Sequence, residues 1–541
     1  MIEAPSPASS PAQLWSKTGR VVWLSVLLGL AVPFLPGLDA LHWLPDDAMT
    51  LVPKAFRPAP PDAIEVEAPA EIDDRVLVGI GAGVRAGAAD EDEALVGARP
   101  TGATADGGVD AGAEDEDAAV DEEEEGLVVE SEVKLPEPPT PRETSLGVPL
   151  YPIEDPQHVL RRFFTSLERV ERGSPDAIAR VVHYGDSLIT GDYVTQTVRR
   201  LMQKRFGDAG HGFVLAGRPS PWYRRDNLEL HTSDDWEINR ITRPPIKDGA
   251  YGLGGVTVHT TRRGQWVTMN PAPEEGGDLG ATVAKMQVHY LAQPGGGAFE
   301  MDVDDGPPVK VGTETDEPAS RVAEILVPDG AHTFKLRTLG AGEVRLFGVV
   351  FERMGPGVVY DSLGLDGSRA KLLRRFNPEH WYQQLRQRRP DLVILHYGTN
   401  ESQAARMSSK RYRADLQEIV GHLRAALPGV SCLLVGPMDR AEPDESGKLV
   451  TRPVVKRIVA VQREVAYAQG CAFWNTWAAM GGEGSMARWY RMKPKLAGGD
   501  LTHPTRRGAD RIGAMLFVAL MDGYAHHVSA RIGESMIQMA P

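Results

Sequence analysis

IARVVHYGDSL, residues 178–188, reads as a buried β-strand that turns directly into a helix. Ile178, Val181 and Val182 supply the β-branched, apolar run of such a strand, and Gly185-Asp186-Ser187 supplies the turn. A serine at a strand-to-helix turn presents an exposed Oγ and a backbone N–H at a helix start, both useful for attack on a carbonyl. Alone the tripeptide decides little, because Gly-Asp-Ser is commonly just a turn or a helix cap.

Working outward, the strand-then-helix alternation recurs. Helices are predicted over 158–172 and 193–205, on either side of the strand. After residue 356 come a strand at 392–396, a helix at 412–427, a strand at 431–435, a helix at 453–469, a strand at 471–474 and a last helix from 505 to about 526. That order predicts an α/β domain with a parallel sheet covered by helices on both faces. Residues 216–355 differ in kind. Short alternating runs (GVTVHT at 255–260, KMQVHY at 285–290) and turn clusters (PGGG at 294–297) predict an antiparallel β-sandwich. The α/β domain therefore comprises 146–215 and 356–541, split by an insertion at 216–355.

Two more loops of the α/β part carry chemistry. The strand LVILHY ends in Gly398-Thr399-Asn400-Glu401, where the Asn400 amide could donate to a developing oxyanion. Asp500-Leu501-Thr502-His503 precedes the last helix, and an aspartate three residues before a histidine can hold the imidazole Nδ1–H and aim Nε2 at a nucleophile. The plainer readings are a turn asparagine and a helix cap.

The strings GDSL at 185–188, GTN at 398–400 and DLTH at 500–503 resemble the first, third and fifth blocks of the SGNH/GDSL hydrolases. The resemblance covers roughly 146–215 and 356–541. It implies a flavodoxin-like three-layer α/β/α sandwich, here interrupted by the β insertion. Residue by residue, it implies Ser187 as nucleophile, His503 as general base and Asp500 as its orienting partner. The oxyanion hole would be the backbone N–H groups of Ser187 and Gly367 with the Asn400 side chain. Gly367 lies 180 residues beyond Ser187, and the insertion accounts for the excess. Glu401 departs from the aspartate that often follows this asparagine.

The GTNE string, DGSRA at 366–370 and WYRMKPKLAGGDLTHPT at 489–505 are most similar to the peptidoglycan O-acetylesterase branch, in which a carbohydrate-binding-module-like β domain lies between the first two blocks. The implied reaction is removal of O-acetyl groups from a cell-wall polysaccharide through an acetyl-serine, with no metal or organic cofactor. Two alternatives stand beside it: acetyl transfer to a polysaccharide through the same acyl-serine, and a non-catalytic wall-binding protein.

Other residues carry two readings each. Arg440 could meet an anionic sugar or be a solvated loop charge. Trp489-Tyr490 and Trp222-Tyr223 could stack on sugar rings or simply pack. His183 and His396, both in His-Tyr-Gly strings, are alternative bases or satisfied core groups. Cys432 and Cys471 fall on neighbouring strands, with buried free thiols the default and a disulfide the alternative.

The rest of the 541-residue chain points to export. Val21–Leu38 has no charge, Lys17 and Arg20 precede it, and 1–57 reads as a signal or membrane anchor, the uncleaved anchor being favoured. Its eighteen residues are marginal for ~30 Å of hydrocarbon. Residues 58–145 read as a disordered acidic linker. Within it, 61–145 holds 25 Asp/Glu against 5 Lys/Arg and would span about 50 Å as a flexible chain. The net charge of −15 therefore belongs to the linker, since 146–541 has 45 acidic and 50 basic groups. No dense basic block supports nucleic-acid binding, and two cysteines exclude a disulfide scaffold or a Cys-rich zinc module. The expected location is extracytoplasmic or periplasmic, inner-membrane-anchored or released.

Overall fold

Five strands form a parallel sheet: β1 (Ile178–Gly185), β2 (Gly357–Gly364), β3 (Leu392–His396), β4 (Ser431–Val435) and β5 (Ala472–Trp474). Their spatial order is β2-β1-β3-β4-β5, every pair parallel, which is the flavodoxin-like winding. The computed structural model describes residues 142–271, 279–404 and 407–539. The expected anchor and nearly all of the linker lie outside the described residues. All described residues belong to one unit, Asp73–Pro541.

Alternation along the strands divides the core into two layers. Val182, Tyr184, Val393, Leu395, Leu434 and Phe473 share one cluster, and Val181, Leu392, Ile394, Leu433, Val435 and Trp474 share the other. Apart from two short helices at Thr476–Ala479 and Ser485–Arg491, the α-helices are α1 (Arg161–Glu171), α2 (Ser187–Thr190), α3 (Tyr193–Phe206), α4 (Pro378–Arg388), α5 (Ser409–Ala426), α6 (Pro453–Ala468) and α7 (Arg506–Met539). Buried residues of α4, α5 and α6 join the first layer, and those of α1, α3 and α7 join the second. Local signals explain the starts. Asn377 caps α4 ahead of Pro378, its side chain accepting the His380 N–H at 3.2 Å. Ser408 caps α5 in the same way.

Several boundaries differ from the sequence reading. The first helix starts at Arg161 rather than 158, because the Asp155 carboxylate takes the Val159 and Leu160 N–H groups (2.8 and 3.0 Å) into a preceding turn. The last helix continues beyond 526 to Met539. The edge strand β2 (GVVYDSLG) was not foreseen. Among the described residues, no helix is long and apolar enough to cross a membrane.

Between 212 and 352 the chain forms two antiparallel sheets. One is ordered 309–312, 298–303, 334–340, 266–271, 228–232, and the other 319–330, 283–292, 344–352, 256–260, 237–240. Tyr290 meets Phe299 and Phe334 meets Phe351 from one sheet to the other, with ring centroids 5.4 and 6.0 Å apart. The strand Gly212–Leu215 pairs with 344–352, so the antiparallel region begins a few residues before 216.

A buried ionic cluster ties this region to the parallel sheet. Arg388 at the end of α4 donates to Asp361 of β2 at 2.5 and 2.9 Å and to Glu352 at 2.5 Å. Glu352, at the end of an antiparallel strand, also accepts from Arg180 of β1 at 2.9 Å and pairs with Lys285 at 2.7 Å. Burial pushes the Glu352 carboxyl up, but Arg388, Arg180 and Lys285 outweigh it and hold the group well below its ordinary value. Toward the other edge of the same sheet, Cys432 and Cys471 form a disulfide, the alternative to free thiols. Parallel register sets Leu433 against Ala472 and so makes the two cysteines neighbours.

Candidate active site

Three loops meet at the carboxyl ends of β1, β2 and β3, where ligands bind in open α/β sheets. The first is the β1–α2 turn. Asp186 caps α2 by accepting the Leu188 N–H at 3.1 Å, which leaves Ser187 as the first helical residue. Gly185 is required because α2 folds back over the strand end: a Cβ there would sit 2.3 Å from Ile189 Cγ1. The Ser187 backbone N–H accordingly has no hydrogen-bond partner among the described residues.

A loop far along the chain meets this turn. Ser187 Oγ lies 2.9 Å from His503 Nε2, and His503 Nδ1 lies 2.6 Å from Asp500 Oδ2. The second Asp500 oxygen accepts the Thr502 and His503 N–H groups at 3.1 and 3.0 Å, so backbone and imidazole are fixed by one carboxylate. Burial pushes the Asp500 carboxyl up, but its hydrogen bonds with His503 and Thr502 more than offset this and leave it below the ordinary value. An imidazole held in this way can accept a hydroxyl proton while the carboxylate stabilises the resulting cation.

The third component lies between the loops after β2 and β3. Gly367 adopts φ +74°, a left-handed conformation that suits glycine, and its N–H has no partner among the described residues. Asn400 donates one amide hydrogen to the Ser368 carbonyl at 2.9 Å and accepts from Gln403 Nε2 at 3.3 Å. Two buried acids lie close by. Burial pushes the Asp186 carboxyl up to about 6 and the Glu401 carboxyl up to about 7. Among the described residues no group of three or more His, Cys, Asp or Glu could hold a metal ion.

The remaining sequence candidates separate clearly. Arg440 stands at the rim: Ala441 N–H donates to Leu501 O at 3.0 Å, and Arg440 Nη1 is 3.4 Å from Ser402 Oγ. Burial and the nearby Arg452 push its guanidinium down, while Asp500 opposes them. Trp489 is only 4% exposed and packs in the core, which corrects its reading as a sugar platform. Tyr490 is half-buried beneath Lys495, 4.5 Å from the ring centroid. Trp222 is 38% exposed, whereas its neighbour Tyr223 is buried and accepts the Leu215 N–H at 3.0 Å. His183 and His396 are core groups, stacked at 5.4 Å, with His183 bonded to Tyr360 at 2.8 Å.

Sequence reasoning missed the group that steadies the first loop. Asp192, just after α2, is buried and accepts from Arg199 at 2.7 and 3.0 Å, Thr195 at 2.6 Å and Arg225 at 3.3 Å. Burial pushes its carboxyl up, but the two arginines outweigh that and leave it strongly lowered. No local pattern announces Arg225, which lies 33 residues away.

Residues 332–511 match the GDSL-like Lipase/Acylhydrolase family, a span that contains Gly367, Asn400, Asp500 and His503 but not Ser187. This stretch of the chain carries a GDSL-like acylhydrolase domain. Among solved structures, the acylhydrolase is similar to one described as "Peptidoglycan O-acetylesterase in action, 5 min". The identity is 23% and the TM-score 0.57, over 68% of this chain and 96% of that one. That likeness shows the SGNH hydrolase fold. A family two carbohydrate esterase from Cellvibrio japonicus aligns at 12% identity over 55% of this chain and 99% of its own, with a TM-score of 0.24. No curated protein matches the acylhydrolase.

Proposed function

We propose that the acylhydrolase removes O-acetyl groups from a cell-wall polysaccharide, peptidoglycan being the favoured substrate, by a Ser-His-Asp mechanism. The observation that carries this reading is the chain of contacts Ser187 Oγ–His503 Nε2 (2.9 Å) and His503 Nδ1–Asp500 Oδ2 (2.6 Å). His503 takes the Ser187 proton as Oγ attacks the acetyl carbonyl, and the sugar hydroxyl leaves with that proton. Water, activated by the same imidazole, then releases acetate from the acetyl-serine. The N–H groups of Ser187 and Gly367 and the second Asn400 amide hydrogen are the proposed oxyanion donors.

The substrate class is supported by the fold shared with a peptidoglycan O-acetylesterase across 96% of that chain. We read the two antiparallel sheets as an inserted β-sandwich beside the cleft, with Arg440 and Trp222 as rim contacts for the glycan. The chain is proposed to act outside the cytoplasm, held by its apolar N-terminal segment or released from it. The Cys432–Cys471 disulfide supports an oxidising compartment. The test is acetate release from O-acetylated peptidoglycan by the full chain beside Ser187→Ala. Release by the parent and a loss of about 10⁶-fold in the variant is expected. Equal release by both would overturn the mechanism, and activity on simple acetate esters alone would overturn the substrate.

A further inference from the structure

Glu401 has no part in proton transfer, yet it is a carboxyl group buried between the two loops that carry Gly367 and Asn400. Its Oε1 accepts the Ala370 N–H at 2.8 Å, and its Oε2 is buried with no hydrogen-bond partner among the described residues. The adjacent Asn400 donates across the same gap to the Ser368 carbonyl at 2.9 Å. Consecutive residues of the β3 loop thus grip the β2 loop at positions 368 and 370, immediately beyond Gly367. Beyond its two chain neighbours, Gly367 has nothing among the described residues within 4 Å of where a Cβ would stand, so side-chain packing does not fix its peptide. The orientation of its N–H depends on how the following residues are held.

We propose that Glu401 is a positioning residue: by bracing the Ala370 N–H it fixes the Gly367 N–H and the Asn400 amide at the spacing an oxyanion requires. This rests on the assignment of Gly367 and Asn400 as oxyanion donors. A carboxyl group in this place functions best uncharged, because an anion beside the pocket opposes the developing oxyanion. Burial, with the Asp186 carboxyl adding to it, raises Glu401 to about 7, while Arg369 opposes. The titratable and charged groups facing it are Asp186 at the α2 cap, Arg369 on the Gly367 loop and Tyr412 on α5, and Tyr397 at the end of β3.

The test uses the full chain and a neutral ester, p-nitrophenyl acetate, with kcat and KM read separately from pH 5.5 to 9. Glu401→Ala is expected to lower kcat about 10²-fold with KM nearly unchanged, the effect of donors displaced by about an ångström. Glu401→Gln keeps the acceptor oxygen and is always neutral. It should restore kcat at pH 6 and hold that rate at pH 8–9, where the parent declines. Should Glu401→Ala fail to fold, Ala370→Pro removes the same contact from the other side. Ala370 opens a 3₁₀ turn and Arg369 before it is extended (φ −118°, ψ 152°), a setting that accepts proline. Ala370→Pro should reproduce the kcat loss, and the double variant should lose no more than either single one. Wild-type kcat in Glu401→Ala or Ala370→Pro, or a Glu401→Gln variant as impaired as Glu401→Ala, overturns the proposal. Ser187→Ala run alongside separates the two failures. If it stays active, the serine mechanism itself is wrong. If it is dead while Glu401→Ala is not, only the bracing role falls.

Discussion

The carboxyl rim of the parallel sheet and the joint between that sheet and the antiparallel region are both dense in ionisable side chains, yet they are built to opposite ends. At the joint, Arg388, Asp361, Glu352, Arg180 and Lys285 satisfy one another within 2.5–2.9 Å, the first three of them buried. At the rim, Ser187 and His503 share one contact, Asp500 holds the other side of the ring, and two backbone donors have no partner among the described residues. A cluster in which every charged group is paired can only hold shape. One that ends in a hydroxyl, an imidazole and unused N–H groups is able to act on a molecule that enters.

The distinction yields predictions that separate rate from stability. Asp500→Asn should lower kcat about 10⁴-fold by losing control of the His503 tautomer, with the melting temperature little changed. A collapse in melting temperature would mean that Asp500 belongs to the structural class after all. Arg388→Met should do the reverse, costing about 3–5 kcal/mol because Asp361 and Glu352 stay buried without their shared cation. Denaturant titration would measure the loss, and kcat per folded molecule should match the parent. Stability retained in this variant would remove the contrast.

The smallest effect concerns the imidazoles beneath the rim. Burial holds His396 down to about 3, and it holds His183 well below its ordinary value, His396 adding to the effect. An unfolded histidine titrates near ~6.5. Between those values the unfolded chain binds more protons than the folded one, so their contribution to stability is present above pH 6.5 and lost as pH falls toward 3. Each such group gives at most about 1.4 kcal/mol per pH unit. His396→Leu should flatten the acid side of a plot of melting temperature against pH, and an unchanged slope would show that the pair does not carry it.

Much of the α/β framework was legible because its signals are local. Leu392–His396 and Ser431–Val435 are short apolar runs bounded by turns, and both strands form where they were expected. The strand Gly357–Gly364 escaped although GVVYDSLG resembles the run before Gly185. It follows directly on an antiparallel strand, so nothing in composition marks the change of sheet. Trp489 was misjudged for a related reason: an aromatic pair looks the same in sequence whether its partner is a ligand or the core, and here Trp489 belongs to the core.

What the sequence determined by itself was the identity and order of the reactive groups: a serine at a strand-to-helix turn, an asparagine at a second strand tip, and an aspartate three residues before a histidine. Periodicity and turn chemistry encode these within a dozen residues. Only the tertiary structure decided that Ser187 and His503, 316 residues apart, come within 2.9 Å. The same holds for the disulfide, for the Arg388 cluster, and for Glu401 reaching the Ala370 N–H. Contacts of this range are fixed by strand order and register in the folded sheet, and no local spacing records them.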